Sequence, residues 1–263
     1  MRLRRLAGYG PAFVLAVALL ALWQLSVQAE RISSQVLPAP IAVVQVLFAN
    51  GSIIYDNTVQ TMLETVLGIV AATLLGLVLA ILLDISSWVR RAIYPLLVIS
   101  QTIPIIALAP LLLIWFGYGI EPKVLVVTLY CFFPIAVACA DGLAGAEPEL
   151  LKLLKSMRAS RWQMLWLVRL PGAMPSFFSG LRIAATYSVT GAIFGEYVGA
   201  EKGLGIFMQR EANSFATVQV FAAILVTALL SLLLFGLVSV IERLALPWYH
   251  GALAGRELLH GTK

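Results

Sequence analysis

Residues 141–178 read DGLAGAEPELLKLLKSMRASRWQMLWLVRLPGAMPSFF, a 38-residue polar stretch set between long apolar runs. Its charges are ordered as a short helix orders them. Pro148 suits a first helical position, Glu147 and Glu149 fall at the positive end of the dipole, and Lys152, Lys155 and Arg158 fall toward the negative end. About three turns are predicted, with Leu150, Leu151, Leu153, Leu154 and Met157 on one side and Lys152, Lys155 and Ser156 facing away. Ser160 has Gln163 three residues later, the capping-box spacing, so a second short helix is expected from Arg161 to a stop near Pro171. The two form a helix-turn-helix with Arg158, Ala159 and Ser160 at its tip. Such a hairpin either grips a partner in water or lies on lipid as an amphipathic element.

Outside the hairpin the chain is lipid-soluble. Of its 263 residues 61% are apolar and 12% charged, with a mean hydropathy of +0.95, whereas soluble domains are about a quarter charged. Six stretches, at 11–29, 62–83, 92–116, 124–140, 179–198 and 217–241, approach the roughly 20 residues that a bilayer core requires. The fold class expected is therefore an all-α membrane protein with about six transmembrane helices.

Orientation follows from the 18 Lys and Arg residues. With the N-terminus inside, 13 fall on the inner side: Arg2, Arg4, Arg5, Arg90, Arg91, Lys152, Lys155, Arg158, Arg161, Arg169, Arg243, Arg256 and Lys263. Arg31, Lys123, Lys202 and Arg210 fall outside, and Arg182 lies near the inner end of the fifth span. The positive-inside rule then puts the hairpin and both termini in the cytoplasm. Topology and anionic headgroups account for the net charge of +5, so no nucleic-acid partner is expected. The first apolar run has no small-x-small cleavage motif before Glu30-Arg31 and is expected to be retained as a span. Cys131 and Cys139, about 12 Å apart along one helix axis, are too distant for a disulfide and read as small core residues.

Between the first two spans, Pro38 and Pro40 precede an apolar run from Ile41 to Ala49, and Asn50-Gly51 and Asp56-Asn57 are loop signals. That run is too short to cross a bilayer, so it lies flat at the outer interface or packs on the bundle. In the third span Pro95, Pro104 and Pro110 each remove a backbone donor, so a kink or break is expected. Carbonyls freed inside a membrane need protein or water, which makes Gln101, Thr102 and Pro104 pathway candidates as well as parts of an ordinary bend. Tyr187, Ser188 and Thr190 offer hydrogen-bonding groups at interior depth, for a pathway or for bonding between helices. Glu64 and Glu196 fall near outer helix ends, where water or headgroups would satisfy them; Glu196 is also a candidate at the outer mouth. Arg182 is expected to snorkel toward the cytoplasm.

The run Ala159-Ser160-Arg161-Trp162-Gln163, then Leu170-Pro171, then Ser179-Gly180-Leu181-Arg182-Ile183-Ala184 resemble the cytoplasmic EAA loop of permease subunits of binding-protein-dependent ABC importers. That loop reads E-A-A, three residues, G, nine residues, I-x-L-P. Laid on Leu170-Pro171, it puts its hydrophobic position at Val168, its glycine at Arg158 and its triplet at Lys152-Leu153-Leu154. The spacing is kept, but the triplet and the glycine are not. Glycine there permits a left-handed backbone and arginine costs roughly 1 kcal/mol, so a turn that differs in detail is expected. Thr61 through Gly68 looks like the opening of the permease core and Pro104 through Trp115-Phe116-Gly117 like its central helix, while Gly195-Glu196-Tyr197-Val198-Gly199-Ala200 with Gly203-Leu204-Gly205 is similar to the outer end of the fifth helix in the nitrate, sulfonate and taurine group. Leu181 through Ala192 looks closer to permeases for pyrimidine precursors of thiamine, or for riboflavin.

The resemblance implies a type I ABC importer permease fold with a cytoplasmic coupling-helix loop. It divides the chain into a first span and outer loop at 1–57, a permease domain at 58–246 and a cytoplasmic tail at 247–263. It further implies an inner-membrane assembly of two permease copies, an ATPase dimer and an outer solute-binding protein. The ATPase would dock on Lys152, Leu153, Leu154, Met157, Arg158, Ala159, Ser160, Leu170 and Pro171. The sequence holds no G-x-x-x-x-G-K-[ST] cradle, so ATP is expected on the partner ATPase and no cofactor, metal or catalytic residue is expected here. A small polar solute is implied, either a thiamine pyrimidine precursor or riboflavin, with nitrate, sulfonate or taurine as the alternative. A secondary carrier would be expected to show ion-coupling acids or bases and inverted repeats, neither of which is recognisable in the sequence. A membrane enzyme built on histidine fares worse, since His250 and His260 both lie in the tail.

Overall fold

The computed structural model describes residues 10–29, 33 and 35–249, and every regular element in it is helical. In lipid each backbone N–H and C=O must find a partner inside the protein, which a helix provides within its own segment. In chain order the helices are α1 Gly10–Gln28, α2 Pro40–Ala49, α3 Gly51–Ile85, α4 Ser87–Ser100, α5 Ile105–Phe116 and α6 Glu121–Ala144. There follow α7 Pro148–Ser156, α8 Arg161–Met164, a π turn at Leu165–Arg169, α9 Leu170–Glu196, α10 Leu204–Asn213 and α11 Thr217–Ala245. The charges expected on Arg2, Arg4, Arg5, Arg31, Arg256 and Lys263, and both histidines, lie outside the described residues.

Four helices, α1, α3, α6 and α11, are long and apolar enough to cross a membrane. The expected third span is present as α4 and α5, bent by 96° at the break between them. Pro104 makes that break as the residue capping α5, while Pro95 and Pro110 sit inside α4 and α5. With this pair the spans that are apolar enough number at most five among the described residues, where about six were expected. The fifth expected stretch, 179–198, falls on α9, whose 27 residues suffice in length but not in apolarity. The reason is its position: α9 packs on α6, α11 and α3 at the centre of the bundle, so little of it needs to dissolve in lipid. Its buried positions are mostly small, including Ala173, Gly180, Ala184, Ala185, Ser188, Gly191, Ala192 and Gly195. Small residues let backbones approach, and a Cβ on Gly180 would lie 2.5 Å from the Pro134 carbonyl oxygen of α6. Cys131 and Cys139 are free thiols in this same core.

One loop expectation is corrected, and another is narrowed to one of its two alternatives. The second span begins not near Met62 but at Gly51, so Asp56 and Asn57 belong to a 35-residue helix rather than to a loop. At about 1.5 Å per residue this helix outruns the bilayer, and its first turns project beyond it. The short apolar helix α2 packs on the bundle through buried Val43, chiefly against α11. By contrast, α1 has no buried residue and meets the bundle through α2 and a ring contact between Trp23 and Phe221.

Candidate functional site

The hairpin forms at one end of the bundle. Its first helix, α7, starts with Pro148 in the first turn, carries Glu149 there and Lys155 in the last turn. The helix closes with the Arg158 N–H donating to Lys155 O and the Ala159 N–H donating to Leu154 O, both at 3.0 Å. This is the Schellman pattern, whose C′ residue is normally glycine because it takes a left-handed backbone. Here Arg158 adopts φ 58°, the left-handed conformation that glycine takes at least cost. Ser160 then caps α8: its Oγ accepts from the Gln163 N–H at 3.2 Å, and its own N–H donates to Gln163 Oε1 at 2.7 Å.

The expected stop near Pro171 does not occur. The chain passes through the π turn, where the Leu170 N–H donates to Leu165 O, directly into α9. Pro171 sits in the first turn of α9, where its missing N–H costs little. The hairpin is thus a rigid extension of the central helix.

The faces of α7 are distributed differently from the sequence pattern. Leu150, Leu153 and Met157 project outward, Met157 with 71% of its surface exposed. Leu154 is half-buried, and Leu151 turns inward with Lys152 and Lys155 to line a cavity of about 590 Å³ over the end of α3. The lysines therefore stand on the bundle side rather than beside the exposed leucine. Leu170 packs on the core, and Pro171 is half-buried. These last two anchor the hairpin and do not present a surface.

Ion pairs tie this end together. Arg169 Nη1 meets Asp84 Oδ2 at 2.5 Å, with side chains 28% and 9% exposed. Arg90 Nη2 meets Asp141 Oδ1 at 3.0 Å in a more open setting. Arg182, expected to reach for the cytoplasm, instead pairs at 3.0 Å with the buried carboxylate of Glu242 on α11. A partner inside the bundle removes the need to snorkel.

The break between α4 and α5 borders a second cavity, of about 390 Å³, with Gln101 and Pro104 in its wall beside Tyr130 and Phe194. Tyr130 meets Tyr187 at a tilt, with ring centroids 5.7 Å apart, and Phe194 edge-on at 6.1 Å, forming an aromatic cluster. Thr102 is exposed and donates to Ile99 O, whereas Ser188 is buried and donates to Ala185 O of its own helix. Thr190 is half-buried. Of the sequence candidates, Gln101 and Pro104 line this cavity, Tyr187 touches it through its ring contact with Tyr130, and Thr102, Ser188, Thr190 and Glu196 do not line it.

Glu196 belongs to the far end of the bundle, and its expected interfacial setting is corrected. Both Glu196 and Glu64 are fully buried, facing each other. Glu196 accepts from Thr61 Oγ1 at 2.6 Å and from the Gly205 N–H at 2.5 Å. Thr61 Oγ1 in turn accepts from the Leu204 N–H, and Asn57 Oδ1 from the Gly203 N–H, both at 2.8 Å. Gln60 donates to Glu64 at 2.8 Å, and the buried Lys123 lies within electrostatic reach of the same carboxylate. Protein donors thus replace, for Glu196 and for one oxygen of Glu64, the water that sequence reading assigned to these acids, while Glu64 Oε2 is buried without a hydrogen-bond partner. Gly203 makes this possible: its φ of 133° suits only glycine, and a Cβ there would lie 2.2 Å from the Glu196 carboxyl carbon.

Asn57, Thr61, Lys123, Asp84, Tyr130 and Phe194 were not recognised as site residues from sequence. The glycine spacing Gly203-Leu204-Gly205 was the available signal for the carboxyl cluster. Ordinary Asp, Tyr and Phe residues on apolar helices carry no such mark.

A family model, binding-protein-dependent transport system inner membrane component, matches residues 72–246. The chain belongs to this family and is the permease subunit of an ABC importer, a multi-pass membrane protein whose ATPase is a separate subunit. It is 39% identical over 233 residues to the formylaminopyrimidine transport permease protein ThiX of Halalkalibacterium halodurans, covering 88% of this chain and 92% of that protein. It is 33% identical over 243 residues to the riboflavin transport system permease protein RibX of Chloroflexus aurantiacus, covering 90% of this chain and 91% of that one. Its fold matches an inward-facing conformation of the MetNI methionine ABC transporter with a TM-score of 0.67 at 20% identity, covering 74% of this chain and 97% of that chain.

Proposed function

We propose that two copies of this chain form the pathway of an inner-membrane importer for a planar, nitrogen-containing solute, a thiamine pyrimidine precursor or riboflavin. In this reading both termini and the hairpin are cytoplasmic, an ATPase dimer seats the two hairpins, and a solute-binding protein delivers cargo to the far end. The observation that carries it is the outward face of α7, with exposed Leu150, Leu153 and Met157 beside the left-handed turn at Arg158. Apolar side chains held in water on a rigid helix favour a protein groove, and burying them supplies most of the docking energy. The unbroken run from hairpin to α9 gives ATP-driven movement a lever into the bundle centre. The solute assignment rests on similarity to the two vitamin-related permeases.

The test uses Met157→Cys and Leu153→Asp. Both native cysteines are buried, so an impermeant thiol reagent should label Met157→Cys only from the cytoplasmic face, and bound ATPase should block it. Leu153→Asp should release the ATPase and abolish uptake while the bundle stays folded. Labelling from outside overturns the topology. Uptake by the permease with no ATPase present restores the secondary-carrier reading.

A further inference from the structure

Behind α7, on the side of Leu151 rather than that of Leu150, Leu153 and Met157, lies the cavity over the end of α3. Its wall carries Lys152, Lys155, Arg161 and Arg169 against one acid, Asp84. Asp84 is already held by Arg169, and among the described residues Lys152, Lys155 and Arg161 have no ion-pair partner. Arg169 contributes a further signal: its Nε is buried and has no hydrogen-bond partner. Lys152, Lys155 and Arg161 are exposed around the cavity, and guanidinium and ammonium groups offer donors only, so four cations beside one acid leave an excess of donors and of positive charge at this space. The space is therefore shaped for an anion with several acceptor oxygens.

Its surroundings say where that anion comes from. Trp162 lines the cavity, and Trp162, Trp166 and Leu167 are all exposed on the neighbouring α8 and π turn. Tryptophan settles at headgroup depth, with its ring in the acyl boundary. Basic pockets between helices on the cytoplasmic side suit anionic lipid headgroups, because the surface there is negative and the lipid is abundant. We propose that this cavity holds the phosphate of an anionic phospholipid of the inner leaflet, with Lys152, Lys155 and Arg161 as its ligands and Trp162 against its acyl boundary. Such a lipid braces α7 against the end of α3. The proposal rests on the cytoplasmic placement of the hairpin proposed above.

The experiment is native mass spectrometry of the delipidated full chain, titrated with equal amounts of phosphatidylglycerol and phosphatidylcholine. At least a tenfold preference for phosphatidylglycerol is expected. Lys152→Gln with Arg161→Gln should abolish the preference, whereas Lys152→Arg with Lys155→Arg, which keeps every charge, should retain it. Gel filtration identifies any variant that fails to fold, and the charge-keeping pair then decides alone. Equal binding of the two lipids overturns the proposal, as does a preference unaffected by the glutamines. Displacement of the lipid by millimolar inorganic phosphate would assign the site to free phosphate and overturn the lipid assignment. The measurement needs neither ATPase nor solute. Leu153→Asp should lose the ATPase yet keep the lipid preference, so failure of the importer reading and failure of the lipid site are separable.

Discussion

The two ends of this bundle solve opposite problems with the same kinds of residue. At the far end two glutamates are fully buried, and hydrogen bonds join Asn57 and Thr61 of α3 to Glu196 of α9 and to the loop before α10 across 135 to 146 residues of sequence. At the hairpin end the acids pair with arginines that keep partial access to water, a left-handed arginine replaces glycine, and apolar side chains stand exposed. The difference teaches how a coupling subunit divides its labour. Buried carboxyl groups and their donors tie the helices of one end together, while the other end leaves contacts unmade for a partner to complete.

The largest effect should come from disturbing the sealed end. Gly203→Ala adds a Cβ 2.2 Å from the Glu196 carboxyl carbon at a backbone φ of 133°. Backbone strain of this kind costs about 1–3 kcal/mol before the clash is counted. The melting temperature of the purified protein should fall by roughly 10 °C. Gly236→Ala, where nothing lies within 4 Å of the added atom, should leave it unchanged. Equal melting of the two variants would mean that the far end is not the rigid one.

A smaller, more specific effect is expected at the hairpin end. Asp84→Asn removes the charge that holds Arg169 in the π turn. A partly exposed pair of this geometry is worth about 1–2 kcal/mol after solvent screening. The bundle should fold and bind its ATPase, but uptake per ATP hydrolysed should drop several-fold as the hairpin loosens from α3. Unchanged coupling would show that α9 alone transmits the movement.

The sequence showed the hairpin best because its signals are local: proline, dipole charges and the Ser160–Gln163 box act within one turn, and each forms as read. The broken third span was legible for the same reason, through Pro104. Glu196 was misread because its donor Thr61 lies 135 positions away, and Glu64 because the helices that bury it are distant in sequence; hydropathy registers only the cost of burying such a group, not what offsets it. The faces of α7 were misassigned for a related reason: periodicity separates leucines from lysines but cannot say on which side the bundle lies. The central helix α9 escaped the apolar criterion because enclosure by other helices replaces lipid as its solvent.

The smallest effect isolates the one strained residue of the open end. Arg158 pays for a left-handed backbone, about 1–2 kcal/mol for an L-residue, which glycine avoids at some cost in unfolded-state entropy. Arg158→Gly should therefore raise the melting temperature by a few degrees at most, equivalent to about 0.5–1 kcal/mol. Arg158→Ala separates strain from charge, because alanine removes the guanidinium but keeps the Cβ that the turn disfavours. If alanine stabilises as much as glycine, crowding of positive charge at the tip, not backbone strain, was being relieved. If only glycine stabilises and ATPase binding is then unchanged, the strain is local to the turn. If glycine stabilises the free subunit but weakens ATPase binding, the guanidinium contributes to the docked state, and the open end trades stability of the lone chain for contact with its motor.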